Sequence, residues 1–282
     1  MKKVAIVGYA QHPILENAGA LNEVELIMPV VHQLFDELGI SQNNIDFTCS
    51  GSCDYLQGAA FAFVEGLSAI QTNPPIKESH VEMDAAWAMY ESMLKIQMGD
   101  ADTALIYGFG KSSPGRLDSI ISLQMDPYYI SPLWPDRVSL AAIQARVLLE
   151  KNIITPEQMI TAVIEARTNS KNNKNALVTE LVDKEAYLAS EKISTPLNEF
   201  DCPPISDGSS AMIIASEEKA YDFTDQPIFI EGIDHRIESS NIGSRDLSKP
   251  SGILASIEHL KLEKTKFDVA ELHTQFSHDV PY

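Results

Sequence analysis

The amino-acid sequence predicts an α/β protein with mainly parallel or mixed sheets. Short, continuous apolar runs of strand length alternate with longer stretches of helical periodicity. Residues suited to helix caps stand at the boundaries between them. With 282 residues, 44% apolar and 22% charged, the chain has a globular composition and can bury a core without disulfides or metals.

The first strand is expected over 4–8, where Val4, Ala5, Ile6 and Val7 follow Met1-Lys2-Lys3. A run this uniform suits a strand covered on both faces. Asn22 is placed to cap a helix with the stripe Val24, Ile27, Val31, Leu34, Phe35 and Leu38, and Gly39 to end it. Pro29 falls inside and predicts a kink or a later start. A second strand is expected over 45–49, a polar loop over 50–58 and a helix over 59–70. Asp84 opens a helix carrying Trp87, Met89, Tyr90, Leu94 and Ile96, closed by Gly99, and a buried strand follows over 103–109.

Residues 112–138 contain Pro114, Pro127, Pro132 and Pro135, so regular structure is not expected there. A segment of that length reads as a functional or covering excursion. Thr155-Pro156-Glu157-Gln158 combines a cap, a first-turn proline and a capping box, and starts a helix that runs to Ser170. Further strands are expected over 211–215, 228–233 and 269–272. Ile45-Asp46-Phe47 and Phe267-Asp268-Val269 each follow a helix and a short polar link, a partial internal repeat. Each half would then begin with its own strand, at Val4 and at Ala211.

Composition excludes several function classes. Lys and Arg number 21 against 40 Asp and Glu, a formal charge of -19 that repels phosphate backbones, so no nucleic-acid partner is expected. A local basic patch remains compatible with an anionic cofactor. The longest apolar stretch, 59–64, stops at Glu65, far short of the roughly 20 residues of a spanning helix, so no membrane span is expected. The three cysteines, Cys49, Cys53 and Cys202, suit a reducing cytoplasm. Cys49 and Cys53 have no second pair, so no metal site is expected.

Three segments resemble the thiolase superfamily, in particular its thiolase-like lipid-transfer, sterol-carrier-type branch. They are Asp201-Cys202-Pro203-Pro204-Ile205-Ser206-Asp207-Gly208-Ser209-Ser210-Ala211, Glu271-Leu272-His273-Thr274-Gln275-Phe276 and Gly108-Phe109-Gly110-Lys111. The first looks like the opening of the thiolase second half, the second like the histidine-bearing loop, the third like the strand end after the nucleophile helix. The resemblance implies a five-layer αβαβα fold of two similar halves. The first half would cover 1–111, an excursion with helices 112–200, and a shortened second half 201–282. It also implies coenzyme A thioester substrates, a homodimer and, for some members, aldol chemistry with a small zinc-ribbon/OB-fold partner.

The departures shape the expected chemistry. A thiolase needs a cysteine at the start of the first-half helix, where the helix dipole and nearby amides stabilise a thiolate. Counting back from Gly108 puts that position at or near Glu82, within His80-Val81-Glu82-Met83-Asp84. The serine that contacts pantetheine would fall near Pro203, and the Gly-His-Pro segment and second cysteine have no counterpart.

The resemblance makes His273 the group that holds the thioester oxygen as negative charge develops. His80 or Glu82 is the candidate base for an aldol cleavage. Asp84 is either a third member of that set or simply a helix cap. Tyr55, Tyr128, Tyr129 and Trp134 either pack their loops or line an acyl tunnel. Two rivals stand beside the aldol reading. One is a non-catalytic acyl-CoA- or lipid-binding assembly subunit; the other is a true thiolase using Cys53.

Overall fold

The computed structural model describes residues 2–58, 60–72 and 75–282. In chain order its elements begin with β1 (Val4–Gln11), α1 (Glu23–Leu38), β2 (Phe47–Ser52), α2 (Asp54–Gln57), α3 (Ala62–Ala69), β3 (Glu78–Glu82), α4 (Ala85–Gln97) and β4 (Thr103–Lys111). There follow α5 (Leu117–Gln124), α6 (Arg137–Glu150), α7 (Pro156–Ser170), α8 (Lys184–Ala189), β5 (Lys192–Ser194) and β6 (Leu197–Asn198). The last are β7 (Asp207–Ser216), α9 (Glu217–Ala220), β8 (Ile228–Phe229) and α10 (Ser251–Leu260). The chain divides into two compact units, Met1–Gly115 with Ile205–Ile233, and Arg116–Pro204 with Asp234–Tyr282.

The first unit is one six-stranded mixed sheet in the order β3-β2-β4-β7-β1-β8. Strands β3, β2 and β4 run parallel, β7 lies antiparallel between β4 and β1, and β8 adds an antiparallel edge. Alternate residues of the strands supply two cores. On one face α1 and α3 meet Leu105, Tyr107 and Ile213. On the other α4 meets Phe47, Cys49, Ala104 and Ile106. Helix α1 buries Leu26, Ile27, Val30, Val31, Leu34 and Phe35, each worth roughly 1.5–3 kcal/mol before entropy is counted.

The expected caps are in place. Asn22 accepts from the Glu25 N–H and the Glu25 carboxylate accepts from the Asn22 N–H. Gly39 ends α1 at φ 64°, in the left-handed region. Pro29 lies within α1, which continues on both sides of it. Helix α3 covers only Ala62–Ala69 of the expected 59–70, and Ala59, like Met1, lies outside the described residues.

Two expectations are corrected by the pairing. Ala211 does not open a second sheet: β7 is zipped to β4 from Thr103↔Ala215 to Lys111↔Asp207 and to β1 from Val4↔Ser216 to Gln11↔Ser210. An apolar run shows that a strand is buried, not which strand it pairs with. Of the expected strands over 228–233 and 269–272, Ile228–Phe229 pairs with β1, while Val269 and Leu272 lie exposed and unladdered. Among the described residues the second sheet of a five-layer arrangement is therefore not formed. The segment 201–282 is shared between the units, 205–233 completing the first sheet.

Asp207 fixes the start of β7. Its carboxylate accepts from the Ser113 hydroxyl at 2.6 Å, the Ser113 N–H at 3.0 Å and the Ala18 N–H at 2.8 Å. Burial works against its charge, but these donors hold it below the usual carboxylate range.

In the second unit, α6 packs Ala142, Ala145 and Leu148 against Ile154, Met159, Leu197 and Phe276. Ile160, Val163, Val182 and Tyr187 form a neighbouring cluster. Thr155 and Gln158 make the expected capping box with Pro156 in the first turn of α7. The excursion is more regular than its prolines suggest. They fall outside α5, and the buried Ser122 hydroxyl ties that helix to the Pro135 carbonyl at 2.7 Å. Among the described residues no helix is long and apolar enough to cross a membrane.

Candidate functional site

In the first unit the alternation of a strand brings His80 and Glu82 to one face of β3. Register sets Ser50 beside His80 and Ser52 beside Glu82. The His80 ring stacks on Phe63 of α3, centroids 4.0 Å apart and planes 7° from parallel. Its Nδ1 is 2.9 Å from the Ser50 hydroxyl, and its Nε2 is 3.4 Å from a Glu82 oxygen. The other Glu82 oxygen accepts from the Asp54 N–H at 2.7 Å. Asp54 in turn accepts from the N–H groups of Phe61 and Ala62, closing the loop above the pair. The sequence does not reveal Ser50 or Phe63 as partners, because strand pairing and the docking of α3 bring them together.

Asp84 is not part of this cluster. It is the N-cap of α4 and accepts from the N–H groups of Ala86 and Trp87. The helix tip itself is Asp84-Ala85, and Glu82, where counting put the nucleophile position, belongs to β3. The tip sits in a saddle of two glycines. A Cβ on Gly51 would lie 2.2 Å from the Asp84 carbonyl oxygen, and one on Gly108 would lie 2.8 Å from the Ala85 Cβ. Beside it opens a largely apolar cleft of about 260 Å³ lined by Tyr9, Ala85, Met89 and Met212 among others.

The surroundings raise the pKa of all three thiols. Burial, with the Glu91 charge, pushes Cys49 up to about 12. Burial also raises Cys53, assisted by Glu82 and only partly opposed by the N–H groups of Leu56 and Tyr55. Burial and Asp201 raise Cys202. A nucleophilic thiol needs the opposite shift. Iodoacetamide should therefore label Cys53 slowly at pH 7, with the rate still climbing above the ordinary thiol range. A labelling plateau reached below pH 7, read by mass spectrometry, would contradict this.

The remaining expected residues are spread over both units. Tyr55 is in the first unit and exposed; Tyr128, Tyr129 and Trp134 are in the second and exposed on its surface. Asp126 organises the two tyrosines' backbone by accepting from both N–H groups. His273 belongs to the second unit and lines a cleft of about 370 Å³ with Arg137, Gln144, Arg245 and His278.

The second unit also holds a buried polar network that the sequence did not single out. The Asp201 carboxylate accepts from the Tyr187 hydroxyl at 2.7 Å, the Asn198 N–H at 2.6 Å and the Ser277 hydroxyl at 2.5 Å. His278, next in line, is 1% exposed. Burial lowers its pKa, against the opposing pull of Asp279 and Asp201.

Comparison with known proteins agrees with the sheet and its helices. No family model matches the chain. It is 26% identical over 98% of its length to an acetyl-CoA acetyltransferase of Methanocaldococcus jannaschii, covering 74% of that protein. It is 29% identical over 49% of its length to an acetyl-CoA acetyltransferase of Methanothermobacter thermautotrophicus, covering 38% of it. Among solved structures, an Ltp2-ChsH2(DUF35) aldolase superposes with a TM-score of 0.64 at 19% identity, over 80% of this chain and 58% of that one. The chain is similar to thiolases in sequence and shares their fold.

This α/β, thiolase-like chain also matches human mitochondrial 3-ketoacyl-CoA thiolase, solved in complex with CoA. The TM-score is 0.60 at 15% identity, over 79% of this chain and 67% of that one. The first turn of α4 reads Ala85-Ala86-Trp87.

Proposed function

We propose that this chain acts on carbon–carbon bonds beside a coenzyme A thioester by an aldol-type route, without a cysteine nucleophile. The observation that carries the reading is the tip of α4. Asp84 caps this helix, its first turn carries no cysteine, and Asp84 already engages N–H groups that would stabilise a thiolate. The fold neighbour that is an aldolase supports the same choice, and the CoA-bound thiolase supports a CoA thioester substrate.

In the reaction a base takes the proton of a β-hydroxyl, the C–O bond becomes a carbonyl and the Cα–Cβ bond breaks. The released pair forms a thioester enolate, whose α-carbon then takes a proton. His273, exposed in its cleft, is the group assigned to the enolate oxygen. His80 and Glu82 are engaged at both ends by Ser50, Asp54 and each other, so they brace the β3 edge and the loop beside it. The same reading includes a homodimer and a small zinc-ribbon/OB-fold partner.

The test is product analysis with β-hydroxyacyl-CoA substrates, with and without such a partner. Release of an aldehyde or ketone together with a shortened acyl-CoA is expected, and His273→Ala should cost about 10²–10³-fold in kcat. An acyl adduct trapped on Cys53 would replace this reading with thiolysis. One observation favours a second reading: the N–H groups at the α4 tip are already occupied by Asp84. A non-catalytic acyl-CoA-binding or assembly subunit would show tight acyl-CoA binding and no turnover under any condition.

A further inference from the structure

The cleft that His273 lines carries charge of the sign this chain otherwise lacks. The protein has a formal charge of -19, yet Arg137 and Arg245 both stand in the wall of the same cavity of about 370 Å³. Much of the remaining wall is hydrocarbon, from Ile121, Met125, Leu140 and Ile242. A cleft of that size lies near the small end of the roughly 300–1,000 Å³ typical of ligand pockets.

The protein does not saturate either guanidinium. Arg137 gives one N–H to the Pro203 carbonyl at 3.1 Å, and its Nε stands 4.0 Å from Asp118, a loose ion pair. Arg245 is 3.5 Å from one oxygen of Glu238, whose other oxygen is taken by the Gly252 N–H. A guanidinium has five N–H donors, so both arginines keep donors to spare. Asp279 also belongs to the wall, but its carboxylate already accepts from the N–H groups of Gln275 and Phe276. Two cations beside hydrocarbon select a ligand that is both anionic and apolar. Inorganic phosphate meets only the first condition, and a methyl-ended acyl chain only the second.

We infer that this cleft binds an acyl group that ends in a carboxylate, which makes the substrate a short dicarboxylic acyl thioester. The inference rests on the aldol reading, in which His273 meets the thioester oxygen. The pantetheine arm then carries the coenzyme's phosphates out of so small a cleft, and the arginines in its wall face the acyl group instead. The hydrocarbon part of the chain lies against Ile121, Met125, Leu140 and Ile242, and the terminal carboxylate meets Arg137 and Arg245. A carboxylate can accept two parallel N–H bonds from one guanidinium, so its orientation is fixed along with its charge. Tyr128, Tyr129 and Trp134 do not line this cleft.

The test is the binding of matched ligands that differ only at the far end of the chain: glutaryl-CoA against pentanoyl-CoA, and adipyl-CoA against hexanoyl-CoA. Wild type should favour the dicarboxylic member of at least one pair by about tenfold or more at low salt, and the preference should shrink as salt is added. Arg245→Gln should lose most of that preference and leave the affinity for the methyl-ended ligand unchanged, while Arg245→Lys should keep part of it. Arg137→Gln should act in the same direction, with its Tm read alongside because it also loses the bond to Pro203. Arg167→Gln is the control: that side chain packs over the Phe200 ring and lines a different cavity, so the preference should not move. Equal affinities within both pairs, or binding of none of the four ligands, overturns the inference, and does so even if retro-aldol turnover is found. An equal loss for both members of a pair in Arg245→Gln would assign the arginines to the coenzyme's phosphates and also overturns it. Discrimination by wild type with no turnover of the β-hydroxy counterparts would sink the aldol reading and leave the carboxylate site standing.

Discussion

Gly51→Ala is expected to lower the stability of the sheet unit by about 3–5 kcal/mol, a large part of what a domain of this kind possesses. The added Cβ would lie 2.2 Å from the Asp84 carbonyl oxygen, 2.3 Å from its carbon and 2.7 Å from the Ala85 nitrogen. All three are main-chain atoms at the start of α4, so no side-chain rotation relieves the contact. The helix cannot withdraw cheaply, because Ala88, Met93 and Ile96 are packed on β2 and β4 and Gly108 makes the second close approach. Gly110→Ala is the matched control: nothing lies within 4 Å of its Cβ position, and the change should be within about 0.5 kcal/mol. Urea midpoints of the two variants decide the matter. Equal midpoints would mean that the tip of α4 is not seated on β2.

How far this arrangement could be read from the sequence depends on whether a feature is local. Asn22, Gly39, Asp84 and Thr155 announce their helix ends because a cap is a contact within a few residues. The place of β7 is not local. Its partners on β1 and β4 lie about two hundred and about a hundred residues away, and its alternating small and apolar residues would suit any buried strand. The internal resemblance around Asp268 suggested a second sheet, but a strand needs a neighbour, and 269–272 has none among the described residues.

The site follows the same rule. The spacing of His80 and Glu82 puts them on one side of an extended segment, which the pattern alone can say. That Ser50 and Asp54 occupy their polar atoms depends on pairing and loop closure. His278 was missed for a related reason. Ser277-His278-Asp279 reads as an exposed polar turn until Asp201, on a separate stretch of chain, draws it inward.

Asp201→Ala should be the most damaging change in the second unit, costing about 3–5 kcal/mol. The carboxylate gathers three donors from three separate segments: the Tyr187 hydroxyl on α8, the Asn198 N–H at the end of β6 and the Ser277 hydroxyl. Removing it leaves each of them buried and unsatisfied, at about 1–3 kcal/mol apiece before relaxation. Tyr187→Phe removes a single donor and leaves the carboxylate its other two, so about 1–2 kcal/mol is expected. Asp201→Asn keeps an acceptor oxygen and should fall between. The three variants, ranked by denaturant midpoint, distinguish a hub from a set of independent bonds. If the Asp201→Ala loss matched the Tyr187→Phe loss, the carboxylate would not be the common anchor. The turn bearing His278 would then owe its position to Asp279 and Phe276 alone.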